Sequence, residues 1–209
     1  MQQQLHTMLT LQDQINTVVN SDWRGQNFPW YRAIWVESAE LLDHFGWKWW
    51  KKQDPELDQV KLELVDIWHF GLSLELQQGS PAAVAEKMQQ VLAENHTAAG
   101  DFREDLEAFT LNTLSTKQFD LAGFAQLLND VDMSFDDLYR RYVGKNVLNR
   151  FRQDHGYKDG SYRKTWAGRE DNEHLAELAE VLDAAAAGYS EQLYRALESR
   201  YRATEEALA

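Results

Sequence analysis

The stretch "VKLELVDIWHFGLSL", residues 60–74, decides the fold. Its apolar side chains recur every three or four residues, the spacing of one face of an α-helix. Glu63 and Asp66 lie at positions i and i+3 within this apolar run, so they share a face of the helix. Buried carboxylates carry a large free-energy cost unless a cation or a metal compensates them. The expected core positions of this helix are Val60, Leu64, Ile67, Trp68, Gly71 and Leu72.

A second acid pair precedes it, in "WVESAELLDHFGWKWWKK" at residues 35–52. Glu37 and Glu40 are again spaced i, i+3, beside a core stripe of Ile34, Leu41, Leu42 and Phe45. Two packed helices of this kind present four acids to one point, where they repel one another. A divalent cation relieves that repulsion, and all-oxygen ligation favours Mg²⁺ or Mn²⁺. The alternative is a solvated helix face beside an aromatic surface patch, because a single EXXE is common in charged helices.

Composition predicts an all-α fold, since Leu, Ala, Glu and Gln are abundant and β-branched runs are rare. Pro29 is a good first helical residue and Gly46 a stop, while Ser80 caps a helix that has Pro81 in its first turn. The glycine-containing segment 155–171 is predicted to be a loop. The expected helices cover residues 3–19, 29–45, 57–78, 81 onward, 101–115, 118–130, 134–153, 170–187 and 190–207.

The length of 209 residues suits one domain, and no linker interrupts it, so we expect a single domain over residues 1–209. Cysteine is absent, which excludes a thiolate nucleophile and a zinc-cysteine site and fits a reducing compartment. The N-terminal sequence lacks the pattern of a secretory signal, and no run of about 18 apolar residues is present. We therefore expect a cytoplasmic protein that does not span a membrane.

The net charge of −13 argues against binding of a nucleic-acid polymer, because such binding depends on cations that neutralise phosphates. The charge is uneven, however. Residues 140–169 contain nine Arg or Lys and two acids, a local charge of +7. Such a segment fits a small anionic ligand, or alternatively a basic helix face that pairs with the protein's own acids.

Two histidines offer a rival metal site. Asp66 with His69, and Asp171 with His174, have the carboxylate and histidine spacing of di-iron helical bundles. We prefer to interpret His69 as a core or supporting histidine and His174 as a surface residue. The further acid pair Glu170 and Glu173, in "EDNE", is expected on the surface or in a helix cap.

Three blocks of the chain resemble the dimeric, all-α dUTP pyrophosphatases, part of the wider all-α NTP pyrophosphohydrolase group that includes MazG-type enzymes. The blocks are "LQDQIN" with the following "VNSDW", then "RAIWVESAELLDHFGWKWWK" through "LELVDIWHFGLS", then "YVGKNVLNRFRQDHGYKDGSYRKTWAGREDNEHL". They cover about half of the chain, and residues 80–135 are less recognisable. The resemblance implies a homodimeric, multi-helix bundle.

The resemblance also implies roles for individual residues. Magnesium, with Mn²⁺ as a substitute, is bound by Glu37, Glu40, Glu63 and Asp66, and Glu40 of the catalytic pair Glu37 and Glu40 is expected to activate the water. Gln12 and Asn16, one helical turn apart, read uracil, and an amide offers the donor and acceptor that this base requires. The other implied substrate-binding residues are Trp47 and Trp49 at the base, Phe70 at the sugar, and Lys48, Lys145, Asn149, Arg152, Tyr157 and Lys158 at the phosphates.

The implied reaction is hydrolysis of dUTP, with dUDP as a second substrate, to dUMP and pyrophosphate or phosphate. It would limit uracil in DNA and supply dUMP. One alternative keeps the chemistry but changes the base, to dCTP or a modified nucleotide. Another is a helical interaction protein without catalytic activity, whose acid pairs lie on the surface.

Overall fold

The structure is a computed structural model that describes residues 1–93, 100–184, 186 and 188–206. This part of the chain confirms the all-α prediction, with nine helices and one two-stranded sheet. The elements are α1 (Gln2–Val19), α2 (Trp30–Phe45), α3 (Leu57–Leu76), α4 (Pro81–Leu92), α5 (Phe102–Thr116), α6 (Leu121–Asp130), α7 (Phe135–Asp154), β1 (Thr165–Trp166), β2 (Arg169–Glu170), α8 (Asp171–Val181) and α9 (Tyr189–Glu206).

The chain divides into two compact units, Met1–Tyr139 and Arg140–Ala209, with the boundary inside α7. The single domain expected over residues 1–209 stays a prediction. The end of α8 was predicted wrongly: the helix stops at Val181 and not at residue 187. Residues 185, 187 and 207–209 of the two predicted C-terminal helices lie outside the described residues.

The first unit is organised around α3, which packs most extensively against α2 and also contacts α1. The predicted stripe of α3 is confirmed as core, since Val60, Leu64, Ile67, Trp68 and Leu72 are each 0% exposed. On α2, Ile34 and Leu41 are fully buried, whereas the predicted core residues Leu42 and Phe45 are only half-buried. This packing brings the acid-bearing faces of α2 and α3 next to each other.

Local sequence signals determine where these helices begin and end. Gly46 ends α2 with φ +92°, a conformation that costs glycine little because it has no Cβ. The Ser80 hydroxyl accepts the backbone N–H of Ala83 at 3.5 Å, and Pro81 starts α4, as predicted. These signals confirm both predicted boundaries of α2 to within one residue and the predicted start of α4.

The second unit corrects the prediction of a loop over residues 155–171. Thr165–Trp166 pairs antiparallel with Arg169–Glu170, and Ala167 (φ 48°) with Gly168 (φ 78°) forms the turn between them. Positive φ at both central residues is the mark of a type I′ hairpin turn. The segment therefore contains a short hairpin that leads directly into α8.

At the start of α8, one prediction is confirmed and another is wrong. Glu170 and Glu173 form a capping box, which confirms the capping interpretation. His174, expected on the surface, is only 5% exposed. Its ring stacks on Trp166, with centroids 5.1 Å apart, and its Nε2 is 2.9 Å from the Trp166 carbonyl oxygen. The hairpin buries His174 by placing Trp166 over the start of the helix.

In the part of the chain that the structure describes, none of the helices combines the length and the apolarity that crossing a bilayer requires.

Candidate metal centre and nucleotide site

Three carboxylates from α2 and α3 meet in the first unit. Glu37, Glu63 and Asp66 each offer an oxygen, and these three oxygens lie within 4.8 Å of one another. Glu63 is 9% exposed, and the other two side chains are half-buried. Their positions follow from the sequence, because the i, i+3 spacing on α3 places two acids on the face that packs against α2.

The acid cluster shifts the pKa of Glu37 in particular. The pKa of Glu37 is raised to about 7, most strongly by burial and also by the charge of Asp66, a hydrogen bond with Glu63 and the charges of Glu63 and Glu40. Such a carboxyl needs either a proton or a cation near neutral pH. A hard divalent cation with oxygen ligands fits this donor set. Within the described residues, no other group of three acids or histidines approaches in this way.

Glu40 lies outside this group of three. Its side chain is exposed, although its charge contributes to the raised pKa of Glu37. It lines an open groove of about 480 Å³ on the outer side of α2, together with Trp35, Val36, Ala39, Asp43 and His44. The roles of Glu40 as a fourth metal ligand and as the base therefore stay predictions.

A network of buried polar side chains connects α1 with α3. Gln12 and Asn16, 4% and 6% exposed, were predicted as a pair that faces one ligand. The Gln12 Nε2 group donates to Asn16 Oδ1 at 3.0 Å and to Ser73 Oγ at 3.1 Å, and Asn16 Nδ2 donates to the same oxygen at 3.0 Å. Gln12 Oε1 lies 2.9 Å from His69 Nδ1. His69 thus supports an amide pair, in agreement with the preferred interpretation of this residue.

An aromatic pair lies between the acids and this network along α3. Phe70, one turn after Asp66 and one turn before Ser73, stacks on Trp30 with ring centroids 6.1 Å apart and an interplanar angle of 27°. Trp30 is the first residue of α2, two turns before Glu37. Sequence reasoning missed Trp30, and its spacing of seven residues from Glu37 was the available signal. Along α3, the two acids are therefore followed by Phe70 and then by Ser73, which contacts the amides of α1.

The Trp and Lys residues after α2 are held mainly by local contacts. Trp47 is 44% exposed and donates through Nε1 to Asp43 at 3.0 Å. The ammonium of Lys48 lies 5.6 Å from the Trp47 ring centroid and 3.7 Å from an Asp43 oxygen. Trp49 is 90% exposed and makes an edge contact with Trp50. Their contacts with base and phosphate stay predictions.

The remaining predicted phosphate-binding residues belong to the second unit. Lys145, Asn149 and Arg152 lie along one face of α7 and are half-buried. Tyr157, 53% exposed, and the exposed Lys158 follow the end of that helix. The structure thus assembles two groups of predicted site residues, one in each compact unit.

Arg152 makes a bidentate ion pair that sequence reasoning missed. Its Nε and Nη2 groups donate to the two carboxylate oxygens of Asp171, each at 2.8 Å. The Tyr162 hydroxyl donates to the same carboxylate at 2.9 Å. Burial acts to raise the pKa of Asp171, but the bonds from Arg152 and Tyr162 outweigh it and hold the pKa below the usual range. Asp171 is therefore a buried carboxylate with an arginine partner.

An all-α chain with an acidic, metal-compatible cluster on two packed helices, an aromatic pair and buried amides fits the class of helical nucleotide hydrolases. The family model for dUTPase matches residues 4–157. The chain belongs to this dUTPase family and is a dUTP diphosphatase, a hydrolase of nucleotide metabolism. The match includes the acid cluster, the amide network and Arg152, and ends at Tyr157. Among curated proteins, no match is found.

Proposed function

We propose that this enzyme hydrolyses dUTP to dUMP and pyrophosphate, and dUDP to dUMP and phosphate, in a reaction that depends on Mg²⁺. The observation that carries the proposal is the convergence of Glu37, Glu63 and Asp66 within 4.8 Å. Three acids so close together, one with a pKa of about 7, favour a bound divalent cation over the empty site. Mn²⁺ shares the preference for oxygen ligands and is proposed as a substitute.

In this proposal, Glu37, Glu63 and Asp66 hold the ion, with Glu40 as a fourth acid. When bound, Mg²⁺ neutralises phosphate charge and lowers the pKa of a water molecule. The exposed carboxylate of Glu40 takes the proton as the water oxygen forms its bond to phosphorus and the bond to the leaving phosphate oxygen breaks. The products are dUMP and pyrophosphate from dUTP, and dUMP and phosphate from dUDP.

The substrate contacts divide by chemistry. Gln12 and Asn16 read the base, Trp47 and Trp49 contact it from the surface loop, and Phe70 packs against the sugar. Cations and hydrogen-bond donors bind the phosphates and stabilise the charge on the leaving group. These are Lys48, Lys145, Asn149, Arg152, Tyr157 and Lys158.

A nucleotide panel tests the proposal. Purified protein is incubated with dUTP, dUDP, dCTP, UTP and dTTP, with Mg²⁺ and then with excess chelator, and the products are separated by chromatography. We expect dUMP from dUTP and dUDP with Mg²⁺ and none with chelator. Turnover of dCTP in preference to dUTP would support the alternative base, and turnover that persists in chelator would overturn the metal proposal.

A pair of matched variants tests the acid cluster itself. Glu63→Gln keeps the shape of the side chain but removes one charge of the cluster. Glu86→Gln makes the same change at an exposed position of α4, outside the cluster. We expect turnover of dUTP to fall by at least about 100-fold in the first variant and to stay at the wild-type level in the second. Equal activities would contradict the role of Glu63.

The proposal extends to assembly and location: a homodimer in the cytoplasm, with no membrane and no nucleic-acid polymer as partner. The dimer rests on the resemblance to the dimeric family. The location rests on the absence of cysteine, and the lack of polymer binding on the net charge of −13. Sedimentation at several concentrations tests the dimer, and a monomer at all of them would refute it. Retardation of duplex DNA at physiological salt would refute the proposed lack of binding to nucleic-acid polymers.

A further inference from the structure

The Ser73 hydroxyl occupies the centre of the amide network. Its side chain is buried, with 0% exposure. Ser73 Oγ donates to the backbone carbonyl of His69 at 3.1 Å, one turn back along α3. It also accepts hydrogen bonds from Gln12 Nε2 at 3.1 Å and Asn16 Nδ2 at 3.0 Å. A small residue of α3 therefore contacts both amides that are proposed to read the base.

The number of available protons determines which groups in this network donate hydrogen bonds and which accept them. A hydroxyl has one proton to donate, and a backbone carbonyl can only accept one. Because Ser73 donates its proton to the His69 carbonyl, its oxygen acts only as an acceptor toward the amides. Gln12 and Asn16 must then both turn their NH₂ groups toward it. Without such a constraint, an amide can rotate by half a turn and exchange its oxygen and nitrogen at little steric cost.

The constraint extends to His69. Gln12 Nε2 gives its other proton to Asn16 Oδ1 at 3.0 Å, which directs Gln12 Oε1 toward His69 Nδ1 at 2.9 Å. An amide oxygen can only accept, so His69 Nδ1 must carry a proton. The backbone carbonyl of His69 thus sets, through Ser73, the orientation of two amides and the tautomer of one imidazole.

Fixed amides matter for the choice of base. Uracil presents a donor at N3 and an acceptor at position 4, whereas cytosine presents an acceptor at N3 and a donor at position 4. An amide that can rotate can adapt to either pattern, but an amide with a fixed orientation complements only one of them. We propose that Ser73 is a positioning residue that determines the preference for uracil over cytosine by fixing Gln12 and Asn16. This inference rests on the proposed function, in which these two amides read the base.

Paired serine variants test the inference. Ser38 is the matched control: it is 4% exposed and donates to the Ile34 carbonyl at 2.7 Å, one turn back along α2. Ser73→Ala and Ser38→Ala each remove one buried serine-to-carbonyl bond, but only the first removes an acceptor from the amides. We expect the ratio of kcat/KM for dUTP to that for dCTP to fall about tenfold or more in Ser73→Ala. The ratio should remain at the wild-type value in Ser38→Ala.

The outcomes separate this inference from the function on which it rests. An unchanged ratio in Ser73→Ala, with a wild-type preference for dUTP that Gln12→Ala weakens, overturns the positioning role and leaves the proposed function intact. A wild-type enzyme without a preference for dUTP overturns both. An equal fall in both serine variants also overturns the inference, because a loss of buried packing then explains it. If Ser73→Ala does not fold, Ser73→Cys, which keeps the size but accepts hydrogen bonds weakly, should show the same fall.

The tautomer of His69 gives a readout that does not depend on turnover. Nitrogen-15 correlation spectra distinguish a protonated from an unprotonated ring nitrogen, and the spectrum of His69→Gln identifies the signals. We expect the Nδ1–H tautomer in the wild-type protein without ligand and a mixture with the Nε2–H form in Ser73→Ala. A wild-type His69 that carries its proton on Nε2 alone would mean that the amides are not oriented as described.

Discussion

At the scale of single residues, Glu37 shows why the acid cluster requires a counter-ion. Its pKa of about 7 lies well above the 4.5 of an ordinary glutamate, first because it is buried and then because of the neighbouring acids. A group with a raised folded-state pKa stabilises the fold below its unfolded pKa, and that contribution is lost as the pH rises through the folded pKa. Without metal, the charged Glu37 therefore destabilises the fold most above pH 7.

This leads to a prediction for Glu37→Gln in chelator. Near pH 4.5 both side chains are neutral, so the melting temperatures of variant and wild type should be similar. As the pH rises from 4.5 to 7, the variant should become the more stable protein, because it never acquires the buried charge. Thermal melts at half-unit pH intervals measure the difference. A difference that stays constant from pH 5 to pH 8 would contradict the raised pKa.

A second residue-scale prediction concerns Asp171, whose carboxylate is bound by Arg152 and Tyr162 in a buried position. Removal of one partner of a buried pair leaves the other charge without compensation. We expect Asp171→Ala to lower the free energy of unfolding by about 3 kcal/mol. Because the pKa of Asp171 is lowered, this contribution is present above its usual pKa of 3.8 and is lost as the pH falls below it.

Glu177 provides the control for Asp171. It also contacts two arginine side chains, with distances of 2.7 Å to Arg169 and 2.8 Å to Arg200, but it is exposed. Ion pairs in water contribute little, so Glu177→Ala should change stability far less. Urea unfolding of both variants at pH 7 makes the comparison, and equal losses would show that burial does not distinguish the two networks.

At the scale of elements, the sequence predicts most helix boundaries and buried faces, because hydrophobic periodicity and helix-terminating residues determine them. Gly46 and the Ser80–Pro81 pair mark helix ends by local chemistry, and the stripe of α3 marks its buried face. The hairpin was missed because its strands are two residues long and its turn has Ala167 where Asn or Asp is usual. The burial of His174 was missed with it, since the covering ring comes from that hairpin.

In the candidate site, too, the features set by local spacing were predicted and those set by tertiary contacts were not. The i, i+3 acid spacing on two apolar helices predicted the faces that carry Glu37, Glu63 and Asp66, because helical geometry alone places them there. By contrast, the contacts of Ser73 join residues 57 and 61 positions apart, and no local pattern encodes that distance. Asp171 likewise lies 19 residues from Arg152, across the hairpin. Tertiary contacts of this kind become visible only in the folded chain.

Two helical glycines give a prediction at this scale. A Cβ on Gly71 of α3 would lie 2.7 Å from ring atoms of Phe119, whereas one on Gly144 of α7 would lie 3.6 Å from Leu175, an ordinary contact. We expect Gly71→Ala to destabilise the protein by about 1–3 kcal/mol through overpacking. Gly144→Ala should stabilise it by about 0.5–1 kcal/mol, because alanine is the better helix former. Chemical denaturation measures both, and the same sign in both variants would contradict the packing at Gly71.

At the scale of the whole molecule, the distribution of ligands over the two units predicts how metal affects unfolding. The three clustered acids all belong to the unit Met1–Tyr139, so Mg²⁺ alone has its proposed ligands in that unit only. A ligand that binds only the folded state stabilises it by about 2.7 kcal/mol at a concentration 100 times its Kd. For a chain of this size, that corresponds to an increase in melting temperature of about 5–10 °C.

Calorimetry with and without Mg²⁺ tests this at pH 8, where Glu37 is charged and the demand for a cation is greatest. If the units unfold in separate transitions, Mg²⁺ should shift only the transition of the first unit, and if they unfold together, it should shift the single transition. Glu63→Gln should abolish most of the shift, while the exposed control Glu86→Gln should keep it. The shift could instead survive in Glu63→Gln, or a sodium salt of equal ionic strength could reproduce it. Either result would mean that Mg²⁺ acts by general screening of the −13 net charge and not by binding to the acid cluster.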